Sequence, residues 1–546
     1  MDSELEFLTI AEAASLIKTR AISPVDLTEA LLRRIEGLDP QINAFITLTT
    51  DLAIRQARAA EAEIAAGRYR GPLHGIPIGL KDNYNTAGVL TSANSKICID
   101  NIPGEDATAV ARLYQAGAVL LGKLATYEFA HGGPASDLPW RPARNPWHRD
   151  HMTGGSSSGP GAAVAAGFVL GALGTDTGGS IRGPASLCGV VGLKPTYGLV
   201  SRHGVIPSSF TFDACGPMTW TVEDCAILLH AIAGHDAKDR ASANRPIPDY
   251  RAALNRDIRG LRIGVIRHFW EEDLPAHEEV RLAMDAALSV LSDLGAKLEV
   301  VHMRPLQDYY DVSKTILLPE HMEIHRKDLI ERLGDFSADY RGTTLAACTF
   351  QALDYVEAQR ERTRMLSEVK PLYDNFDVLL TAGNPGAAPR FEAYRTIGYW
   401  QRPNITAPFS ITGGPALVLR NGYSQSGLPL GMQVAGRPFH EEMVFRVSYA
   451  YEQATSWHVR RPALVAGAPA APVAINSGFS GAPDIDERML ELVKMLAQRA
   501  GLVLTEPQFA ELCHTAPYTL AMAQRIRRPR EHREEPAGSF RFPEMI

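Results

Sequence analysis

Apolar residues recur at helical spacing through roughly the first 60 positions. "TIAEAASLIKTR" and "SPVDLTEALLRRIEGL" both place them three and four apart, and the second opens with Ser23 as N-cap and Pro24 at the first helical position. From about Gly71 the pattern changes. Short apolar runs ("IPIGL", "AVLLG", "FVLGALGT", "LRIGVI", "DVLLT", "PALVL", "GMQVAG") alternate with helical segments such as "ATAVARLYQAG" and "RLAMDAALSVLSDLG". That alternation predicts one large α/β domain on a central sheet over residues 1–464, with a helical N-terminal segment at 1–65. A stretch of Ala, Pro, Gly and Ser without periodicity, "AGAPAAPVAINSGFSGAP", then reads as a linker at 465–482. Beyond it, residues 483–546 carry two amphipathic helical patterns separated at Gly501, a charged run and an apolar ending. An appendage of that size is expected to pack on the main domain, because alone it buries too little surface.

The chain has 546 residues, 45% of them hydrophobic and 21% charged, with 62 acidic side chains against 55 basic ones and a net charge of −7. This balance predicts no electrostatic footprint for nucleic acid. No basic-then-apolar leader opens the chain and no apolar run approaches the length of a membrane span, so the expectation is a cytoplasmic protein with no membrane contact. The cysteines, Cys98, Cys188, Cys215, Cys225, Cys348 and Cys513, are far apart with no C-x-x-C pair, which predicts reduced thiols and no zinc site. His321 and His325, at i and i+4 in "EHMEIH" with Glu320 and Glu323, have a spacing that could bind a metal. They do not form H-E-x-x-H, and the expected reading is a solvated helical face. The arginines from Arg525 to Arg533 are interleaved with acids and read as a mixed charged tail.

Candidate chemistry concentrates at "GGSSSGPG", Gly154 to Gly161. A flexible turn, a phosphate cradle and a nucleophile elbow compete for it. No G-K-[ST] or G-x-G-x-x-G follows, which removes the cradle. An elbow at Ser157 needs a buried strand directly before it, and "RNPWHRDHMT" is polar and contains proline. The stronger nucleophile is Ser180, in "LGALGTDTGGSIRG". A serine after two glycines at the exit of an apolar strand can share a point in space with several backbone N–H groups, as an oxyanion hole requires.

"GGSSSG", "GTDTGGSIR" and "GLKPTYGLVSR", with "GPLHGIPIGLKDN" upstream and "DVLLT" and "GLPLGMQVAGRPF" downstream, resemble the amidase signature family of serine hydrolases. The resemblance runs from about Leu8 to Tyr451 and implies a twisted mixed sheet covered by helices. It implies a Ser-cisSer-Lys triad: Lys81 as base, Ser156 as proton relay and the serine preceding a cis peptide linkage, Ser180 as nucleophile. By family position the oxyanion hole falls to the N–H groups of Thr177, Gly178, Gly179 and Ser180, with Ser157, Asp176 and Arg182 as supporting network and Ala130, His131 and Gly132 lining the acyl pocket. A lysine serves as base only when neutral, which requires burial or neighbouring cations, and Lys81 ends the apolar run "IPIGL". Pro160 departs from the small residue that many members have, but early in a helix its missing N–H would be free anyway.

The implied activity is hydrolysis of an amide, anilide, carbamate or urea-like C–N bond without metal or organic cofactor. A small-molecule amide-type substrate with no nucleic acid is the expected partner, and a homodimer a candidate assembly. The rival is a glutaminase component of a tRNA-dependent amidotransferase. Such subunits carry an acid for the glutamine amino group just before a T-x-P segment, where this chain has Pro403. An inactive binding scaffold is opposed by the intact Lys81, Ser156 and Ser180. Pocket shape would come from the stretch between Leu306 and Tyr399. The C-terminal appendage resembles, in length, helix pattern and ending, the small helical subunit that accompanies transamidosome glutaminase subunits and some carboxybiuret-type amidases.

Overall fold

The computed structural model describes residues 5–476, 478–479 and 483–527. Each apolar run becomes a strand of one sheet. In chain order the strands are β1 (Phe45–Leu48), β2 (Pro77–Lys81), β3 (Val119–Leu124), β4 (Gly171–Asp176), β5 (Val191–Lys194), β6 (Ala214–Thr219), β7 (Arg262–Val265), β8 (Lys297–Val300), β9 (Val378–Ala382), β10 (Ala416–Tyr423) and β11 (Pro429–Gly436). Their order across the 11-stranded sheet is β1-β3-β2-β4-β6-β5-β10-β11-β9-β7-β8. Parallel pairs β3/β2, β2/β4, β9/β7 and β7/β8 coexist with antiparallel neighbours, so the sheet is mixed. β2, β3, β4, β5, β6, β9 and β11 are buried at every residue. Because successive side chains point to opposite faces, both faces of the central sheet are covered.

The predicted helices form at Ile10–Lys18 and Pro24–Ile42, and the Ser23 side chain accepts from Val25 N and Asp26 N as an N-cap should. Three strands lack an apolar signature. β1 lies in the region read as helical, β8 is a mostly exposed edge strand rich in charge, and β6 reads "ACGPMT". Gly216 in β6 faces Leu193 O so closely that a Cβ would come within 2.1 Å of it, so close backbone approach, and not apolar content, selects the residue.

After Val459 the chain runs without helix or strand across the end of the Pro24–Ile42 helix, where Gln41 Nε2 donates to Val465 O (3.0 Å) and Ala470 N to Pro40 O (3.1 Å). The appendage forms helices Glu487–Arg499 and Glu506–Ile526. The second buries Leu512, Cys513, Ala516 and Met522 against helices Leu306–Ile324, Ala338–Thr344 and Ala352–Asn375, while the first, with Val493 buried, packs on the second and on Leu345–Thr349. Three ion pairs fasten the contact, the longest of them Arg341 Nε with Glu511 Oε2 at 3.8 Å. Arg525 meets Asp311 through Nε–Oδ2 (2.5 Å) and Nη2–Oδ1 (2.8 Å), and Arg527 Nη2 meets Asp354 Oδ1 at 2.6 Å. The expected tail from Arg528 onward lies outside the described residues.

The expectation of a solvated face at "EHMEIH" is corrected. Glu320, His321 and His325 are buried, since the Leu306–Ile324 helix is packed against the Ala352–Asn375 and Glu506–Ile526 helices. His321 stacks on His131 with ring centroids 4.2 Å apart, and Glu320 accepts from the hydroxyls of Ser209 and Tyr355.

Removing residues 483–546 would uncover the apolar surface of the main domain on which these side chains pack and leave Asp311 and Asp354 without their guanidinium partners. The truncated chain is expected to melt lower by about 5 °C or more in differential scanning calorimetry. An unchanged melting temperature would show the appendage to be energetically idle.

Candidate active site

The site lies where parallel neighbours β2 and β4 end at one edge of the sheet. Their register sets Leu80 opposite Leu173, and just past that pair the Lys81 side chain reaches Thr175 on β4. Lys81 is completely buried, and its Nζ donates to Ser156 Oγ and Thr175 Oγ1, both at 2.8 Å. Both acceptors are neutral. The adjacent Asp82 turns away to Lys123 (3.4 Å) and to Ser92, whose N donates to it at 2.9 Å. Burial pushes the Lys81 ammonium down to about 7, against the weaker opposing pull of Asp176 and Asp213.

Ser156 stands on the loop before the helix Ser158–Ala165, in which Pro160 is the third residue. The Gly155–Ser156 peptide is cis, on the N-terminal side of the serine and not after it as expected. Ser157 ties the two serine loops together. Its N donates to Ser180 O (3.1 Å), and its Oγ donates to Thr175 O (3.1 Å) while accepting from Thr175 N (3.3 Å).

The loop after β4 is organised by Asp176 and Arg182, both fully buried. Asp176 accepts from Gly179 N (2.8 Å), Ile181 N (3.1 Å) and Arg182 N (3.3 Å), and from Arg182 Nε (3.0 Å) and Nη2 (2.9 Å). Burial alone would raise its carboxyl, but the Arg182 charge and these hydrogen bonds hold it below the usual carboxylate range. Since Gly179 N–H is taken by Asp176, the N–H groups of Thr177, Gly178 and Ser180 are the ones left without a protein acceptor among the described residues. Gly178 O is fixed from across the cleft by Thr406 Oγ1 (2.6 Å) and Asn404 Nδ2 (3.1 Å). At Gly179, φ is +127°, and a Cβ would stand 2.2 Å from Thr406 Oγ1, so only glycine fits.

Ser156, Thr177, Gly178, Gly179 and Ser180 open into one cavity of about 780 Å³, whose wall also contains Ala130, His131 and Gly132. Among the described residues Ser180 Oγ has no hydrogen-bond partner, so the Lys81–Ser156 contact stops one link short of it. Burial, and then the Lys314 charge, lower His131 to about 3, which leaves a neutral ring packed on His321. Several neighbours of the site are not singled out by the sequence. Thr175, within "GTDTGGSIR", and Asn404 and Thr406, at the T-x-P segment, show their place only through tertiary hydrogen bonds. Asp213, which accepts from Thr177 Oγ1 (2.6 Å), and Lys314 on the cavity wall come from distant segments of the chain.

A buried lysine held on serine and threonine hydroxyls, facing a Gly-Gly-Ser loop with free N–H groups, is the equipment of an enzyme that cleaves amide C–N bonds. The chain belongs to the amidase family, whose model, described as Amidase, matches residues 26–445. The A subunit of glutamyl-tRNA(Gln) amidotransferase from Moorella thermoacetica is 39% identical over 487 residues, covering 84% of this chain and 99% of that protein. Among solved structures, an inhibitor-bound vestigial complex bearing on the origins of an s-triazine catabolic enzyme aligns with a TM-score of 0.77 and 33% identity, over 82% of this chain and 98% of that one. Native peptide amidase from Stenotrophomonas maltophilia aligns with a TM-score of 0.73 and 33% identity, over 84% and 98%.

These relatives correct the expected partners. A small-molecule amide substrate with no nucleic acid does not describe a relative named as one subunit of a tRNA amidotransferase. Net charge does not exclude such a setting, because it reflects only phosphate contacts made by this chain, and in a multi-subunit enzyme another chain can make them. Among the described residues no helix is long and apolar enough to cross a membrane.

Lys81 generates a prediction with two readouts. Its folded value of about 7 lies below the free-lysine value of about 10.4. The unfolded chain therefore binds more protons between these values, and this group's contribution to stability rises with pH across that window. Lys81→Met is expected to abolish amide hydrolysis. It should match or exceed the wild-type melting temperature at pH 7, with the difference moving in the wild type's favour toward pH 10. A wild-type rate that does not rise through pH 7, or a pH-independent melting difference, would contradict the assignment of a neutral lysine.

Proposed function

We propose that the chain hydrolyses a primary carboxamide through an acyl-enzyme on Ser180, as the amide-cleaving component of a tRNA-dependent amidotransferase. The observation that carries the chemistry is the buried Lys81 amine bound to the Ser156 hydroxyl and to no carboxylate. The relative's name, at 39% identity over 84% of the chain, carries the context.

In this reading neutral Lys81 takes the Ser156 proton as Ser156 takes that of Ser180, and Ser180 Oγ bonds to the amide carbon. The developing oxyanion is held by the N–H groups of Thr177, Gly178 and Ser180. Collapse of the tetrahedral intermediate breaks the C–N bond, and the relay returns the proton to nitrogen, releasing ammonia. Water then attacks the ester carbonyl by the same route, restoring Ser180 and freeing the acid. Ser157 fixes the spacing of the two serine loops, and Asp176 with Arg182 fixes the direction of the N–H groups.

A second reading, an amidase that works without amidotransferase partners, is favoured by Pro403. This residue lines the cavity where a glutaminase subunit would offer an acid to the glutamine amino group. Glu279 is the one carboxylate among the described lining residues, so under the first reading the amino group falls to it.

Ammonia release should be measured from glutamine and from simple primary amides, with and without partner subunits and glutamyl-tRNA(Gln). The first reading expects glutamine turnover that the partners increase and that Glu279→Gln weakens. Turnover of other amides indifferent to partners and to Glu279→Gln would favour the second. Either way Ser180→Ala should lose about 10⁴-fold or more in kcat while staying folded. Ser156→Ala should lose about 10²- to 10⁴-fold, more than Ser157→Ala or Ser158→Ala. A folded, active Ser180→Ala protein would end the proposal.

A further inference from the structure

Four lysines are buried among the described residues: Lys81, Lys123, Lys194 and Lys314. Three have polar partners. Lys81 has two hydroxyls, Lys123 has Asp82, and Lys194 Nζ donates to Pro195 O at 3.0 Å. Lys314, on the Leu306–Ile324 helix, is 7% exposed, and among the described residues its Nζ meets no carboxylate and no hydrogen-bond acceptor. It stands 3.5 Å from the centre of the Tyr399 ring and 5.3 Å from that of Tyr310. Its other electrostatic neighbours, His131 and His321, are both held neutral, by burial first. Burial is the sole cause acting on Lys314 itself, lowering it to about 7. Two ring faces offset only part of what it costs to take an ammonium out of water.

Lys314 also lines the cavity that holds Ser156 and Ser180. We propose that Lys314 is the carboxylate anchor of the acyl pocket, forming an ion pair with a carboxylate at the end of the substrate's acyl group remote from the amide that Ser180 attacks. The substrate class is then the mono-amides of dicarboxylic acids, of which glutamine, with its α-carboxylate, is an amino-substituted member. A carboxylate arriving at Lys314 meets a cation shielded from water, where charge pairing is strongest. Arg402 and Arg390, the exposed arginines of the same wall, are hydrated and screened, and Arg390 already pairs with Glu392 and Asp150. The inference rests on the proposal that Ser180 cleaves amides, so its test separates binding from turnover.

Binding is measured by calorimetry on the full chain carrying Ser180→Ala, with glutarate and its neutral counterpart pentanamide as probes. Glutarate is expected to bind at least tenfold more tightly than pentanamide. Adding Lys314→Met should weaken glutarate at least tenfold and leave pentanamide within a few-fold, while Lys314→Arg should retain most of the glutarate affinity. In the protein with Ser180 intact, Lys314→Met should lower the ratio of kcat/KM for glutaramate over pentanamide at least tenfold. A structural role for the lysine would change both substrates together. The proposal is overturned by equal binding of glutarate and pentanamide, which needs no substitution at Lys314. It is equally overturned by undiminished glutarate binding in Lys314→Met. Glutarate binding that depends on Lys314, in a protein that hydrolyses neither amide, would uphold the anchor and count against the Ser180 reading alone.

Discussion

The buried pair of Asp176 and Arg182 holds the site together. One carboxylate gathers three backbone N–H groups and two guanidinium bonds from the seven residues that begin with itself, and so fixes the curl of the loop carrying Ser180. The other face of the guanidinium donates to Thr406 O, Gln433 Oε1 and Ser410 Oγ, each at 2.8 Å. These acceptors lie on β11 and on the segment that also pins Gly178 O. The N–H groups of the loop and the opposite cavity wall are thus referenced to one ion. Removing either partner from such a pair typically costs about 3–5 kcal/mol, because it strands the other charge in the interior. Under the proposed mechanism its value is geometric, for donors aimed at a developing oxyanion must be fixed before reaction begins.

That pair also governs the lysine. Asp176 lies near enough to raise Lys81, yet burial dominates. The Asp176 charge is already committed to Arg182, Asp82 is committed to Lys123, and Asp213 accepts from Thr177 Oγ1 and the N–H groups of Ser208 and Ser209. Each of these acids near Lys81 is occupied elsewhere. A lysine deprived of a counterion loses its proton near neutrality and becomes a base.

The sequence made the repetitive part of this architecture legible. Apolar runs became strands, the Ser23-Pro24 signal became a helix start, and the Gly/Ser motifs led to Lys81, Ser156 and Ser180 in one place. What stayed hidden depends on tertiary placement. β6 resembles a turn because close packing selected glycine, and β8 resembles a loop because an edge strand tolerates charge. The polar face at Glu320, His321 and His325 looks solvated along the helix, but it is buried because other helices cover it. Lys314 carries no motif at all. Only the cavity around it, and the missing counterion, set it apart from a surface lysine.

The appendage bears on the pocket through this same helix. Arg525 grips Asp311, three residues and so nearly one turn before Lys314, while Leu317 on the next turn joins Lys314 in the cavity wall. The appendage therefore grips Leu306–Ile324 on a stripe that adjoins the one lining the cavity. A rigid helix carries a shift at one stripe to its neighbour because packed interiors do not absorb it locally. Covalent attachment keeps this brace present at a fixed effective concentration, where a separate subunit would dissociate on dilution. Fusing the helices to the chain thus makes the bracing of the Leu306–Ile324 helix independent of protein concentration.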